Sequence, residues 1–320
     1  MKIVLCRQGF SVIQNMLQGL LPDDEIVCCG PEEVTTVARD ADVLIPAITP
    51  LGVAELSLPK LKLVQQFGAG LDAVNIPVAS ENAVYVANVP AAGTGNAESV
   101  AEVAVMLMLT LARQFPKTQE NIRSGVVAGP TGWSLKGRTA LIVGYGGIGR
   151  EVARRLSGFE MELLAVSRSG PKNTEEELAI TLAQHSQSNA LHELLPRADF
   201  VILAPPLNDH TRGLIGAKEF ALMKPSSFVV NVARGGVIDY EALLEALQSQ
   251  QISGAGLDVF WHEPVDPNDA LFEHNVIATP HIGGATDLSF KGIASKVADN
   301  IRRVRRGDLP VNCVNAGEFE

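Results

Sequence analysis

Positive charge is in short supply. The chain has 26 lysines and arginines against 36 aspartates and glutamates in 320 residues, a formal net charge of −10. Nucleic acid and anionic membrane both favour a basic surface, so neither is the expected partner. A local basic pocket for a small anion is still allowed. Cysteine is scarce too. Cys6, Cys28, Cys29 and Cys313 show no metal-ligand spacing. They read as small apolar residues in a reducing cytosol, and neither a disulfide framework nor a metal site is expected. Long apolar runs are also missing. The longest, Val100 to Ala112, contains Glu102 and is shorter than the roughly 20 residues that span a bilayer. The opening MKIVLCRQGF turns polar after Leu5, which argues against a signal peptide. These absences leave a soluble, cytoplasmic protein as the expectation.

What is present is ordinary material for a globular core: 46% hydrophobic and 19% charged residues. The length suggests two domains. Short apolar runs recur through the first hundred residues: KIVL (2–5), EIVC (25–28), DVLIP (42–46), KLVQQ (62–66) and AVYVA (83–87). They are rich in β-branched residues and bounded by turn formers, with room for crossover helices between them. That is the pattern of a parallel sheet covered on both faces. A second series follows: 139–144, 162–167, 199–205, 227–233, 254–260 and 275–280. Helices are expected at 97–115, 147–157, 189–196, 239–249 and 287–305. The fold class is therefore α/β, with two doubly wound parallel-sheet domains. The last helix and tail come after the second series is complete, so they are expected to return to the first domain. That gives a first domain of 1–98 plus 288–320 and a second of 99–287.

The second series opens on Gly144-Tyr145-Gly146-Gly147-Ile148-Gly149, a G-x-G-x-x-G turn between an expected strand and an expected helix. Gly144 permits the tight turn, Gly146 lets backbone approach a pyrophosphate, and Gly149 lets the helix pack on the strand. The helix N-terminus offers N–H groups and the positive end of its dipole to phosphate. A fourth absence follows. The acid that normally accepts the ribose hydroxyls of NAD is missing, and its place reads Ser167-Arg168-Ser169. An acid there would repel a 2′-phosphate, whereas serine hydroxyls and a guanidinium hold one. NADP(H) is the expected cofactor, with NAD(H) as the alternative.

Three strand-end segments carry acid–base chemistry: NVARGGVID (231–239), LDVFWHEP (257–264) and ATPHIGG (278–284). Reducing a 2-keto acid needs a proton donor for the developing alkoxide, which a histidine supplies near neutral pH. It also needs a carboxylate to orient that histidine and a planar cation for the substrate carboxylate. His281, Glu263 and Arg234 supply these three roles.

The chain resembles the D-isomer-specific 2-hydroxyacid dehydrogenases over nearly its whole length. The resemblance runs through QFGAGLDAV (66–74), AESVAEVAVML (97–107), the glycine turn, APPLNDHTRGLIG (204–216), MKPSSFVVNVARGGVID (223–239), AGLDVFWHEP (255–264) and TPHIGGAT (279–286). It implies two Rossmann- or flavodoxin-like domains with a cleft between them, and a homodimer formed through the cofactor domain. By position, Arg234 resembles the substrate-binding and catalytic arginine, Glu263 its acid partner and His281 the proton donor. Phe67, Gly68, Ala69 and Gly70 resemble the loop whose N–H groups hold the substrate carboxylate. Pro205, Thr211, Ala233, Asp258 and Gly283 resemble cofactor-lining positions. Ala73 and Asn75 stand where relatives commonly have Asn and Asp. Trp261-His262 replaces a more usual polar pair, either shaping the substrate pocket or packing at the surface.

Within the family, Glu263 sets the chain apart from formate dehydrogenases, which have Gln there. Ala69 sets it apart from phosphite dehydrogenases, which have Lys. The serine–arginine–serine signature resembles NADPH-preferring glyoxylate and hydroxypyruvate reductases. The expected reaction is hydride transfer from NADPH to a small 2-keto acid, giving the D-2-hydroxy acid. The alternatives are a short D-3-phosphoglycerate dehydrogenase using NAD and a cofactor-sensing corepressor-type binding protein.

Overall fold

The structure is a computed structural model that describes residues 1–168, 180–184 and 190–318. The chain divides into two compact units, Met1–Asn96 with Asp287–Glu320, and Ala97–Thr286. No helix among the described residues is long and apolar enough to cross a membrane.

The first unit holds five strands: β1 (Lys2–Leu5), β2 (Glu25–Cys28), β3 (Val43–Ile45), β4 (Leu63–Gln65) and β5 (Tyr85–Ala87). They pair in parallel in the order β2-β1-β3-β4-β5. Successive strand residues point to opposite faces, and each face has its own core. Ile3, Leu5, Val43, Ile45 and Leu63 pack against Ile13 and Leu17 of the helix Ser11–Leu20 and Ile293, Val297 and Ile301 of Asp287–Arg305. Val4, Leu44, Val64 and Val86 pack on the other side against Val34, Leu56 and Ala79. Because both faces are buried, the strands read as continuous apolar runs without alternation.

Among its described residues, the second unit holds seven strands: β6 (Thr139–Val143), β7 (Glu162–Ser167), β8 (Ile180–Gln184), β9 (Phe200–Leu203), β10 (Phe228–Asn231), β11 (Gly254–Leu257) and β12 (Val276–Ala278). All pairs are parallel, in the order β12-β11-β10-β9-β6-β7-β8. The order reverses between β6 and β9, which is where open α/β sheets receive ligands at the strand carboxyl ends.

Two features depart from expectation. β8 was not foreseen: ITLAQ follows the acidic run TEEEL, and an edge strand needs fewer apolar residues than a central one. The expected helix 97–115 is two helices, Asn96–Ala112 and Phe115–Arg123. Gln114 between them is left-handed (φ 49°, ψ 49°), and Pro116 in the first turn of the second helix has no N–H to continue the first. Apolar periodicity does not register a single residue that turns the chain.

Candidate active site

Parallel pairing brings the carboxyl ends of β6, β7, β9, β10, β11 and β12 to one edge of the sheet. Each delivers a segment singled out in the sequence. After β6, Gly144 has φ +94°, and a Cβ there would stand 2.6 Å from Pro205 N. Only glycine lets this turn lie against the chain leaving β9. A Cβ on Gly149 would overlap the carbonyl oxygen of Gly144, so the helix Gly147–Ser157 seats directly on the turn. A Cβ on Gly146 would meet nothing within 4 Å. That open space lies at the N-cap of an 11-residue helix with no side-chain cap, a cradle suited to a pyrophosphate. Tyr145 lies under the Arg150 guanidinium, 5.0 Å from its ring centre. Gly144 N donates to Val166 O at 2.9 Å, so the turn sits beside the Ser167-Arg168 end of β7. Ser169 lies outside the described residues.

On the next loop, the Thr211 hydroxyl donates to Pro206 O at 2.6 Å and accepts from Asn208 N at 2.9 Å. It closes a turn just beyond Pro205. At the end of β10 the buried Asn231 accepts from Ala233 N at 3.0 Å and donates to Arg234 O at 2.9 Å. This fixes the backbone that presents Arg234. A Cβ on Gly235 would overlap the backbone of Phe260 and Trp261, so the arginine loop lies directly on the loop after β11. There the Trp261 indole N–H donates to Ile238 O at 2.7 Å, and its ring meets Tyr240 edge-on at 5.1 Å. Trp261 thus has a packing role, tying the two loops together.

Glu263 Oε1 accepts from Phe260 N at 3.1 Å, and Oε2 lies 2.7 Å from His281 Nδ1. Burial alone would raise the carboxyl pKa. The His281 hydrogen bond and charge, the Phe260 N–H and the Arg234 charge outweigh it, so Glu263 is held below the ordinary glutamate range. An ionised carboxylate has no proton to give, so Nδ1 must donate. The tautomer follows: Nε2 is the nitrogen left to exchange a proton with a substrate, and it has no partner among the described residues.

His281 is itself left-handed (φ 56°), an uncommon state for a non-glycine residue. Asp258 holds it there. Asp258 is 2% exposed, yet its carboxylate is fully engaged: Oδ1 accepts from Thr279 Oγ1 (2.7 Å) and Ile282 N (2.9 Å), and Oδ2 from Gly283 N (2.9 Å). Its carbonyl accepts from His281 N at 2.8 Å. The structure therefore brings Arg234, Asp258, Glu263 and His281 together in the second unit, while Phe67, Gly68, Ala69 and Gly70 belong to the first. Sequence reasoning missed Asn231 and this duty of Asp258. The available signal was a polar residue at the end of a wholly apolar strand, where burial demands a hydrogen-bond partner. A concavity of about 390 Å³ lined by Leu111, Trp133, Phe228, Ser253 and Asn275 lies at the opposite, amino-terminal ends of β10, β11 and β12.

Residues 105–283 match the family profile described as D-isomer specific 2-hydroxyacid dehydrogenase, NAD binding domain. The chain is 37% identical over 289 residues to a glyoxylate reductase of Thermococcus litoralis, covering 87% of this chain and 84% of that one. It is 36% identical over 288 residues to a D-3-phosphoglycerate dehydrogenase of Methanocaldococcus jannaschii, covering 89% of this chain and 53% of that one. Among solved structures, an NADPH-dependent glyoxylate/hydroxypyruvate reductase of Sinorhizobium meliloti, in complex with NADP and malonate, superposes with a TM-score of 0.83 at 28% identity. That match covers 98% of this chain and 96% of the other.

Proposed function

The chain belongs to the D-isomer specific 2-hydroxyacid dehydrogenases, and we propose that it reduces a small 2-keto acid of the glyoxylate or hydroxypyruvate type, with NADPH as the preferred cofactor. The observation that carries this reading is the His281–Glu263 pair at 2.7 Å, with Nε2 open on a strand-end loop. The nicotinamide, when bound, supplies the hydride. His281 then gives its Nε2 proton to the carbonyl oxygen, and Glu263 stabilises the charged imidazole before transfer and holds its orientation throughout. Arg234 holds the substrate carboxylate and polarises the carbonyl, two duties suited to a planar guanidinium. The turn Gly144–Gly149 takes the pyrophosphate. Ser167 and Arg168 are the groups proposed to hold the 2′-phosphate, with Ser169 assigned to the same role from the sequence alone, and Pro205, Thr211, Ala233, Asp258 and Gly283 line the rest of the proposed cofactor site.

Phosphoglycerate dehydrogenase activity with NAD is the second reading, favoured by the Methanocaldococcus relative. A panel of glyoxylate, hydroxypyruvate and phosphohydroxypyruvate, each with NADPH and NADH, separates the two. Rapid oxidation of NADPH by one of the first two is the expected result. A clear preference for the phosphorylated substrate with NADH selects the second reading, and no turnover with any of the three removes both.

Assembly is part of the same reading. Phe115, Ile122, Val126 and Val127 are 52%, 71%, 51% and 89% exposed along the helix Phe115–Arg123 and the loop after it. Apolar exposure of this extent suits a subunit contact, and a homodimer through the second unit is proposed. A monomer mass by light scattering at micromolar concentration overturns it.

A further inference from the structure

In the first unit, β4 lies between β3 and β5, so the loop leaving it is flanked by the loops leaving both neighbours. Its polar contacts run to those flanks, within the loop itself and to the scaffold behind it. Gln66 is 6% exposed and its side-chain amide is fully used. Nε2 donates to Ala47 O beyond β3 (2.7 Å) and to Gly70 O (2.5 Å), while Oε1 accepts from Phe67 N (3.1 Å). From beyond β5, Asn88 Nδ2 donates to Ala69 O (2.7 Å) and Val89 N to Gly68 O (2.8 Å). Behind them, the fully buried Gln65 donates to Gln66 O at 3.0 Å and is held in turn by Asn300 at 2.7 Å. Three successive carbonyls, those of Gly68, Ala69 and Gly70, are thus tied back to the scaffold.

Peptide geometry then dictates the rest. In a trans peptide the C=O and the next N–H point in opposite directions. With the three carbonyls held, the N–H groups of Ala69, Gly70 and Leu71 are directed away from the scaffold. None of the three has an acceptor among the described residues. Successive free N–H groups form a concavity suited to an anion. We propose that Gln66, seconded by Asn88, is the positioning residue of this cradle, setting its amides to receive the carboxylate of a small 2-keto acid. The proposal rests on the reading of the chain as a 2-keto acid reductase.

The amide orientation of Gln66 makes a sharp test. Gln66→Glu keeps size and shape but turns a carboxylate oxygen toward the Ala47 and Gly70 carbonyls, so the loop must spring away. The KM for glyoxylate should rise about tenfold or more, in line with the loss of hydrogen bonds to a charged group. The kcat at saturation and the affinity for NADPH should stay within about threefold, because the variant acts on substrate binding alone. Asn88→Ala, at an exposed hydrogen bond, should give a smaller rise of the same kind. It also carries the test if Gln66→Glu does not fold. A KM within twofold of wild type in folded Gln66→Glu, or in Asn88→Ala when it alone folds, overturns the proposal.

A second readout does not need turnover. Oxalate, used as a carboxylate probe, should shift the amide NMR signals of Ala69, Gly70 and Leu71 in the wild-type protein and bind more weakly to the variants. If oxalate shifts those amides but no 2-keto acid is reduced, the cradle stands and the proposed function falls. If glyoxylate turns over while oxalate leaves those amides unmoved, the cradle falls and the proposed function stands.

Discussion

Two backbone turns in this molecule are proposed to present N–H groups to an anion, and they are built by different means. The turn Gly144–Gly149 is held by chain packing: a Cβ at Gly144 would meet Pro205, and one at Gly149 the Gly144 carbonyl. No side-chain cap holds the start of its helix. The loop after β4 is held by side-chain amides, with Gln66 and Asn88 gripping its carbonyls. Packing that excludes a Cβ needs glycines at set intervals, so it leaves a motif. Tethering needs donors at Gln66, Asn88 and Val89, which no spacing rule connects.

Several measurements can break or sharpen this contrast. The largest effect should come from His281, the proposed proton donor that both turns are proposed to serve. His281→Ala is expected to lower kcat by roughly 10²- to 10⁴-fold, the range for a positioned general acid, with NADPH binding by fluorescence unchanged. Surviving turnover would mean that another group gives the proton.

The glycine turn comes next, and it should split in two. Gly149→Ala places a methyl against the Gly144 carbonyl and should destabilise the fold by about 1–3 kcal/mol, the usual scale of overpacking, besides weakening cofactor binding. Gly146→Ala points a methyl into open space, so thermal stability should hold while NADPH affinity falls. Equal loss of stability in both variants would show that Gly146 is a packing glycine like Gly149.

Arg168→Ala should narrow the preference for NADPH over NADH about tenfold or more, the scale of a hydrogen bond to a charged group. A wild-type preference for NADH would show that the arginine has no phosphate to meet.

The smallest effect concerns acid stability. Glu263 has a depressed pKa in the folded protein, so its pairing contributes stability above the ordinary glutamate value of about 4.3 and loses it as pH falls through the folded value. The urea midpoint of Glu263→Gln should lie below that of wild type at pH 7, and the gap should close toward pH 3. A gap that widens on acidification reverses the sign of the argument.

Much of the fold was legible in the sequence. Among the described residues, eleven of the twelve strands coincide with apolar runs bounded by turn formers, because a strand buried on both faces has little choice of residue. The exception, β8, lies at a sheet edge, where that constraint relaxes. The break at Gln114 was hidden because one left-handed residue does not disturb helical periodicity. Trp261 was readable as an aromatic near the site but not as a brace, because its partner Ile238 lies on another loop.

Local pattern alone determined the parallel α/β architecture, the glycine turn and the missing acid beside it, since each depends on residues close along the chain. Which strand-end residues meet was decided only by tertiary structure. Glu263 and His281 stand eighteen positions apart in the sequence and 2.7 Å apart in space. Gln66 reaches Ala47 because β3 and β4 are neighbours in the sheet. Strand order sets such pairings, and strand order arises from burying many apolar faces together rather than from any one segment.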